Sequence, residues 1–129
     1  MLQDSATFSG FSVDSLDKAE EFYGKTLGLK LERDWMGIQL KLANEVGVFI
    51  YEKPDHQAAN YTNLNFIVDD IDKAIDELTK KGIEFEQYDL GNGAKTDEKG
   101  VLRGRSADMG PDIAWFKDPA GNTLAILQQ

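Results

Sequence analysis

The chain has 129 residues, no cysteine, one histidine and a formal net charge of −9. That length suits a single domain with a real core, the missing thiols exclude disulfides and thiolate metal ligation, and the acidic balance argues against a nucleic-acid partner, whose phosphates demand Lys/Arg surfaces. No apolar run approaches the roughly 18 residues of a membrane span, and residues 1–5 lack the basic start and apolar block of a signal peptide, so no membrane partner and a cytoplasmic location are expected. An acidic surface aids solubility, and it also suits a cationic ligand.

In chain order, residues 7–13 alternate as a strand, with Ser9, Phe11 and Val13 on one face and Phe8, Gly10 and Ser12 on the other. Asp14 reads as an N-cap, and Leu16, Ala19, Phe22, Tyr23 and Leu27 form a helical stripe closed by Gly28. Residues 29–35, 38–43 and 46–53 read as three strands, and the polar, proline-bearing stretch 54–61 as a linker. The pattern then restarts. Residues 63–68 alternate with Leu64, Phe66 and Val68 on one face and Asn63, Asn65 and Ile67 on the other, and Asp69 caps a helix with the stripe Ile71, Ala74, Ile75 and Leu78, ended by Gly82. Residues 83–88 read as a strand. Residues 90–111 have no clear period beyond a short strand near Val101 and Leu102, and a loop of that length is usually functional or mobile. Residues 112–117 and 123–128 form a final hairpin turned at Pro119 and Gly121.

The restart is an internal repeat. Phe11, Val13, Asp14, Leu16, Asp17, Lys18 and Ala19 return in register as Phe66, Val68, Asp69, Ile71, Asp72, Lys73 and Ala74. One β-α-β-β-β unit used twice is therefore expected: a single domain over 1–129, with a first unit at 6–53, a linker at 54–61 and a second unit at 62–129. A small-molecule site would lie at the seam of such a doubled unit.

These residues carry a resemblance. The strands ending in Val-Asp, the Asp-Lys-Ala helix starts, Phe22 and Tyr23 before Leu27 to Leu29, and the terminal Lys-Asp-Pro-Ala-Gly-Asn-Thr-Leu over 117–124 resemble the vicinal oxygen chelate superfamily, which contains glyoxalase I, extradiol dioxygenases, fosfomycin-modifying transferases and bleomycin-resistance proteins. The resemblance implies an α+β fold in which two βαβββ units form a curved mixed sheet around a cavity, often completed by a second subunit, so a homodimer is expected. It also implies positions for metal ligands. Here they hold Phe8, Asn63 and Ala125, with a fourth expected within 48–51, where neither His nor Glu stands. A divalent catalytic site needs about three His, Asp or Glu ligands. The expected cofactor is therefore none, with a divalent metal on a relocated oxygen set, Glu52 with Asp108 or Asp112, as the alternative.

Strand parity points Phe8, Asn63 and Asn65 toward the cavity, where an amide both donates and accepts; pairing across the seam is the structural alternative. Trp35, Phe49, Tyr51 and Trp115 would form an aromatic wall around a flat ligand, or simply pack in the core or a subunit interface. Arg103 and Arg105 share a parity and would clamp a carboxylate or phosphate, unless they are solvated in the loop. His56, alone in its linker, reads as a surface residue. No catalytic residue stands out; Glu52 would serve as a general base if an apolar pocket raised its pKa. There is no cysteine and no Gly-x-Ser-x-Gly elbow for nucleophilic catalysis, and Gly91 to Gly93 is no dinucleotide fingerprint. The expected function is metal-free binding of a small aromatic or cationic molecule, with sequestration of an antibiotic as the model. A metal-dependent glyoxalase- or dioxygenase-like enzyme with a non-standard site, and a regulatory module without a small ligand, are the alternatives.

Overall fold

The computed structural model describes residues 1–129, and the chain divides into two compact units, Met1–Ala58 and Ala59–Gln129. Each unit is α+β and holds its own four-stranded mixed sheet, the doubled βαβββ fold that the resemblance implies. No helix is long and apolar enough to cross a membrane.

The first unit runs β1 (Ser9–Val13), α1 (Leu16–Glu20), β2 (Lys30–Arg33), β3 (Ile38–Lys41) and β4 (Gly47–Glu52). Its sheet order is β1-β4-β3-β2, with β1 parallel to β4 and the other neighbours antiparallel. Alternation decides which side is buried. Phe11 and Val13 of β1, Ile38 and Leu40 of β3, and Val48 and Ile50 of β4 are buried, as are Leu16, Ala19, Phe22 and Tyr23 of the helical segment. Each such large apolar side chain contributes about 1.5–3 kcal/mol on burial. After Glu20 the helix widens to π-type bonding over Glu21–Thr26, where the Leu27 N–H donates to the Phe22 carbonyl at 2.8 Å, so the expected α-helix is α only in its first part. Gly28 then takes φ 72°, a conformation that ends the helix without a Cβ penalty.

The second unit runs β5 (Thr62–Ile67), α2 (Ile71–Lys80), β6 (Val101–Arg103), β7 (Asp112–Lys117) and β8 (Thr123–Gln128), in the order β5-β8-β7-β6 with β5 parallel to β8. Ile71, Ile75, Val101, Ala114, Phe116, Leu124 and Ile126 are buried. The strand expected over 83–88 does not form. The backbone of that stretch pairs with the sheet through the Phe85–Phe116 bridge and a 2.8 Å bond from the Glu86 N–H to the Trp115 carbonyl, too little for a ladder. The reason is the edge it would need: β6 already pairs with β7 from Asp112 to Ala114. In the closing turn, Asp118 Oδ1 accepts from the Ala120 and Asn122 N–H groups, and its Oδ2 accepts from Asn122 Nδ2.

Both helices start one residue later than the sequence suggests. The N-caps are Ser15, whose Oγ accepts from Lys18 N–H, and Asp70, whose Oδ1 accepts from Lys73 N–H; they are not Asp14 and Asp69. Each cap sits beside another good capping residue, and the later start makes the buried Leu16 and Ile71 the first helical residues. The first N–H of each helix is satisfied from the end of the strand that runs parallel to the unit's first strand. Leu16 N–H donates to Glu52 Oε1 at 2.9 Å, and Ile71 N–H donates to Gln128 Oε1 at 3.0 Å.

Candidate functional site

The face of the first sheet turned away from α1 carries exposed aromatic rings. Register places Gly10, Phe49, Gln39 and Glu32 in one row across the four strands, with Ser12 and Tyr51 paired in the next. Phe8 precedes β1 and meets Phe49 edge-on, centroids 6.4 Å apart, while Phe49 stacks on Tyr51 at 6.1 Å with 17° between the planes. Phe8 stays 69 % exposed, so this cluster is not core. Glycine makes room for it. A Cβ on Gly37 would come within 2.9 Å of the Phe49 ring, besides colliding with the Ile50 carbonyl, and one on Gly47 would come within 3.1 Å of Phe8 Cβ.

Beside these rings lies a hollow of about 390 Å³, lined by Phe8, Phe49, Met36, Gln39, Glu32 and Asp34 and touched by Arg33. Its electrostatics follow from parity. Leu31 and Arg33 alternate with Glu32, and the Arg33 guanidinium donates to Asp17 at 2.8 Å and Glu20 at 2.7 Å on α1. Those two hydrogen bonds, Glu20 first, raise the Arg33 pKa, and they hold its charge at the helix. Glu32 pairs with Lys41 at 3.5 Å. Asp34 Oδ1 accepts from Met36 and Gly37 N–H groups in the β2–β3 turn, and no cation pairs with Asp34. A second hollow, of about 400 Å³, lies along α1 among Asp17, Glu20, Glu21, Lys25 and Leu31. It has no aromatic wall, and its charges are paired, Asp17 and Glu20 with Arg33 and Glu21 with Lys25.

Of the residues singled out from the sequence, the structure brings Phe8, Phe49 and Tyr51 together. Trp35, at the tip of the β2–β3 turn, is 89 % exposed and stands apart from them as a lone ring. His56 Nδ1 lies 2.6 Å from Ser12 Oγ, which ties the linker back to β1. Glu52 is engaged at the start of α1, where its carboxylate satisfies the Leu16 N–H.

The remaining candidates lie in the second unit. Asn63 falls at a bulge between Thr62 and Leu64, and its buried Oδ1 has no hydrogen-bond partner, a state that costs about 1–3 kcal/mol unless a further group satisfies it. Asn65 is exposed and pairs in register with the buried Ala125, which pairs in turn with Trp115. Trp115 Nε1 donates to Thr62 Oγ1 at 3.2 Å, and its ring stands edge-on to Tyr88 at 5.4 Å.

The arginines of the long loop are occupied. Arg103 forks onto Asp72 at 2.8 and 2.9 Å and donates through Nε to Asp97 at 2.9 Å, while Lys99 reaches Asp72 and Asp76. The bonds from Arg103, then Lys99, hold the Asp72 carboxyl well below the usual carboxylate range. Burial works to raise Asp97, but the Val101 N–H and Arg103 outweigh it and leave that carboxyl lowered too. Arg105 donates its N–H to the buried Asp112 at 3.0 Å, with its guanidinium 3.7 Å from the same carboxylate; Asp108 sits in the turn between them at φ 52°.

The donor set does not fit a divalent metal. Phe8 and Ala125 offer no lone pair, Glu52 serves the helix, and within neither unit do three His, Asp or Glu side chains gather as ligands.

Glu32, Asp34, Met36 and Gln39 are groove residues that the sequence reading missed. Alternation in 30–33 and 38–41 puts Glu32 and Gln39 on the face of Phe49, which is the signal that would have found them.

The family model for the glyoxalase/bleomycin resistance protein/dioxygenase superfamily matches residues 7–126. No curated protein matches the sequence. Among solved structures, a glyoxalase family protein from Enterococcus faecalis is similar at TM-score 0.68 and 20 % identity, with 98 % of this chain and 99 % of that one covered. TnmS3, an antibiotic binding protein from Streptomyces sp. CB03234, is similar at TM-score 0.65 and 22 % identity, covering 97 % of each chain. FosX, a genomically encoded fosfomycin resistance protein from Listeria monocytogenes, is similar at TM-score 0.66 and 12 % identity, covering 98 % and 93 %. At these identities the likeness is one of fold. With the family model spanning both units, the chain belongs to the glyoxalase/bleomycin resistance protein/dioxygenase superfamily.

Proposed function

We propose that this protein binds a small aromatic or cationic molecule without a metal ion, and that it acts by holding the molecule rather than by turning it over. The observation that carries the reading is the cluster of Phe8, Phe49 and Tyr51, with Phe8 and Tyr51 exposed and Phe49 half-buried between them, beside a hollow of about 390 Å³, a size that accepts a drug-like ring system. A group of neighbouring rings open to solvent is the kind of surface that marks a binding site, which a lone exposed ring such as Trp35 does not. The donor set supports the metal-free part, and the antibiotic-binding fold relative supports the mode of action by analogy. The active species is proposed to be a homodimer.

Native mass spectrometry of the purified protein reads subunit number, bound metal and any co-purified compound together. The expected result is a dimer that carries an organic ligand and no metal, with Phe49→Ala weakening ligand retention about tenfold. Stoichiometric Zn, Ni, Mn or Fe, with a chelator-sensitive activity, would replace this reading with that of a metal-dependent glyoxalase- or dioxygenase-like enzyme.

A further inference from the structure

The groove of the first unit has an electrostatic sign, and its sign restricts what it can hold. We infer that the ligand is a planar aromatic molecule carrying a basic nitrogen, with its ring against Phe49 and its positive charge at Asp34. This rests on the ligand-binding reading above and narrows it to one chemical class.

Three observations converge. First, the arginine that touches the groove has its charge engaged elsewhere: the Arg33 guanidinium donates to Asp17 and Glu20 on α1. Second, the two carboxylates of the groove differ. Glu32 is paired with Lys41, whereas Asp34 has no cationic partner. The turn uses Asp34 Oδ1 for the Met36 and Gly37 N–H groups and leaves Oδ2 outside those bonds. Third, Phe49 presents its ring beside these carboxylates, with Phe8 edge-on to it, and an aromatic face attracts a cation or a charged flat ring. An anion would meet two carboxylates, beside a guanidinium that already serves Asp17 and Glu20. The formal charge of −9 adds a long-range field of the same sign, which draws cations toward the protein.

The test uses two fluorescent probes of similar shape and opposite charge, the cation proflavine and the anion anthracene-9-carboxylate, titrated into the full chain at moderate salt. Proflavine is expected to bind the native protein at least about tenfold tighter than the anion. Asp34→Asn keeps the Oδ1 acceptor that the turn needs, so it should melt like the native protein. It should weaken proflavine about three- to fivefold, the scale of one exposed ionic contact, and spare the anion. Glu32→Gln, which removes a carboxylate already paired, should weaken proflavine less. Phe49→Ala should weaken both probes. Equal binding of the two probes, an unchanged preference in Asp34→Asn, or a larger loss in Glu32→Gln would overturn the charge assignment. If Phe49→Ala still weakened both probes in that case, the ligand-binding reading would stand. Failure of both probes to bind the native protein, or full binding in Phe49→Ala, would overturn this inference and remove the support for the groove together.

Discussion

The same topology appears twice in this chain, yet the two sheets treat their helix-free faces differently. In the first unit the row Gly10–Phe49–Gln39–Glu32 puts its ring on β4, and the rings around it remain exposed. In the second the row Asn65–Ala125–Trp115 puts a buried alanine on the corresponding strand and the ring one strand over, on β7. That ring is spoken for: Tyr88, from the segment after α2, meets its edge, and Thr62 takes its N–H. The first unit joins its helical segment, which ends at Thr26, to β2 through residues 27–29 alone, whereas the second inserts the long stretch from Ile83 to Gly100 between α2 and β6. A repeated fold therefore does not repeat its binding surface. The copy with the short connection leaves its rings free, and the copy with the long connection uses its own chain as a partner.

Mutations can break or sharpen this contrast, and the largest effect should come from the core. Phe116→Ala, at a fully buried position of β7, should cost about 3–5 kcal/mol in urea denaturation. Phe49→Ala, on the open face, should cost under about 1 kcal/mol while removing binding. Equal stability losses would mean that the first-unit aromatics are core after all.

The reach-back caps come next. Glu52→Ala and Gln128→Ala should each cost about 1 kcal/mol, because each strands the first N–H of a helix. Glu52→Gln keeps the acceptor and should recover most of that loss. Any activity abolished in a stable Glu52→Gln variant would return Glu52 to the role of general base.

The smallest effect concerns pH and should be confined to the second unit. The Asp72 carboxyl is lowered in the folded state by Arg103 and Lys99, so its contribution is complete above the unfolded carboxylate value of about 3.9 and is lost as pH falls toward the folded value. Native protein should lose stability faster than Asp72→Asn below about pH 4, by about 1 kcal/mol or less because the pair is partly exposed. Parallel pH profiles in urea melts would show that the Arg103 network contributes nothing to stability.

Much of the fold was legible because its signals are local. Phe11, Val13, Leu16 and Ala19, with their counterparts Phe66, Val68, Ile71 and Ala74, carry period and register within a few residues of one another. The cap positions were misread by one because Asp14–Ser15 and Asp69–Asp70 each offer two competent side chains, and the deciding term, burial of Leu16 and Ile71, is tertiary. The expected strand over 83–88 failed for a similar reason: nothing in Ile83 to Tyr88 announces that β6 will take the edge first. Phe49 and Tyr51 were readable as a pair because alternation alone puts them on one face, whereas Phe8, which precedes β1, carries no local signal that joins it to them. The Arg103–Asp72 fork spans 31 residues and has no periodic signature, so Arg103 could be read equally as a clamp or as a solvated side chain.

Glu52 and Gln128 also bear on the order in which the chain assembles. Each helix start depends on a residue brought from afar in sequence, 36 positions on in the first unit and 57 in the second. Hairpins close over short spans, whereas these parallel contacts must wait for long loops to close. The helices are therefore expected to fray at their N-termini until the last strand docks, so that docking completes strand and helix together. The second unit, with the longer span, should be the slower of the two to finish.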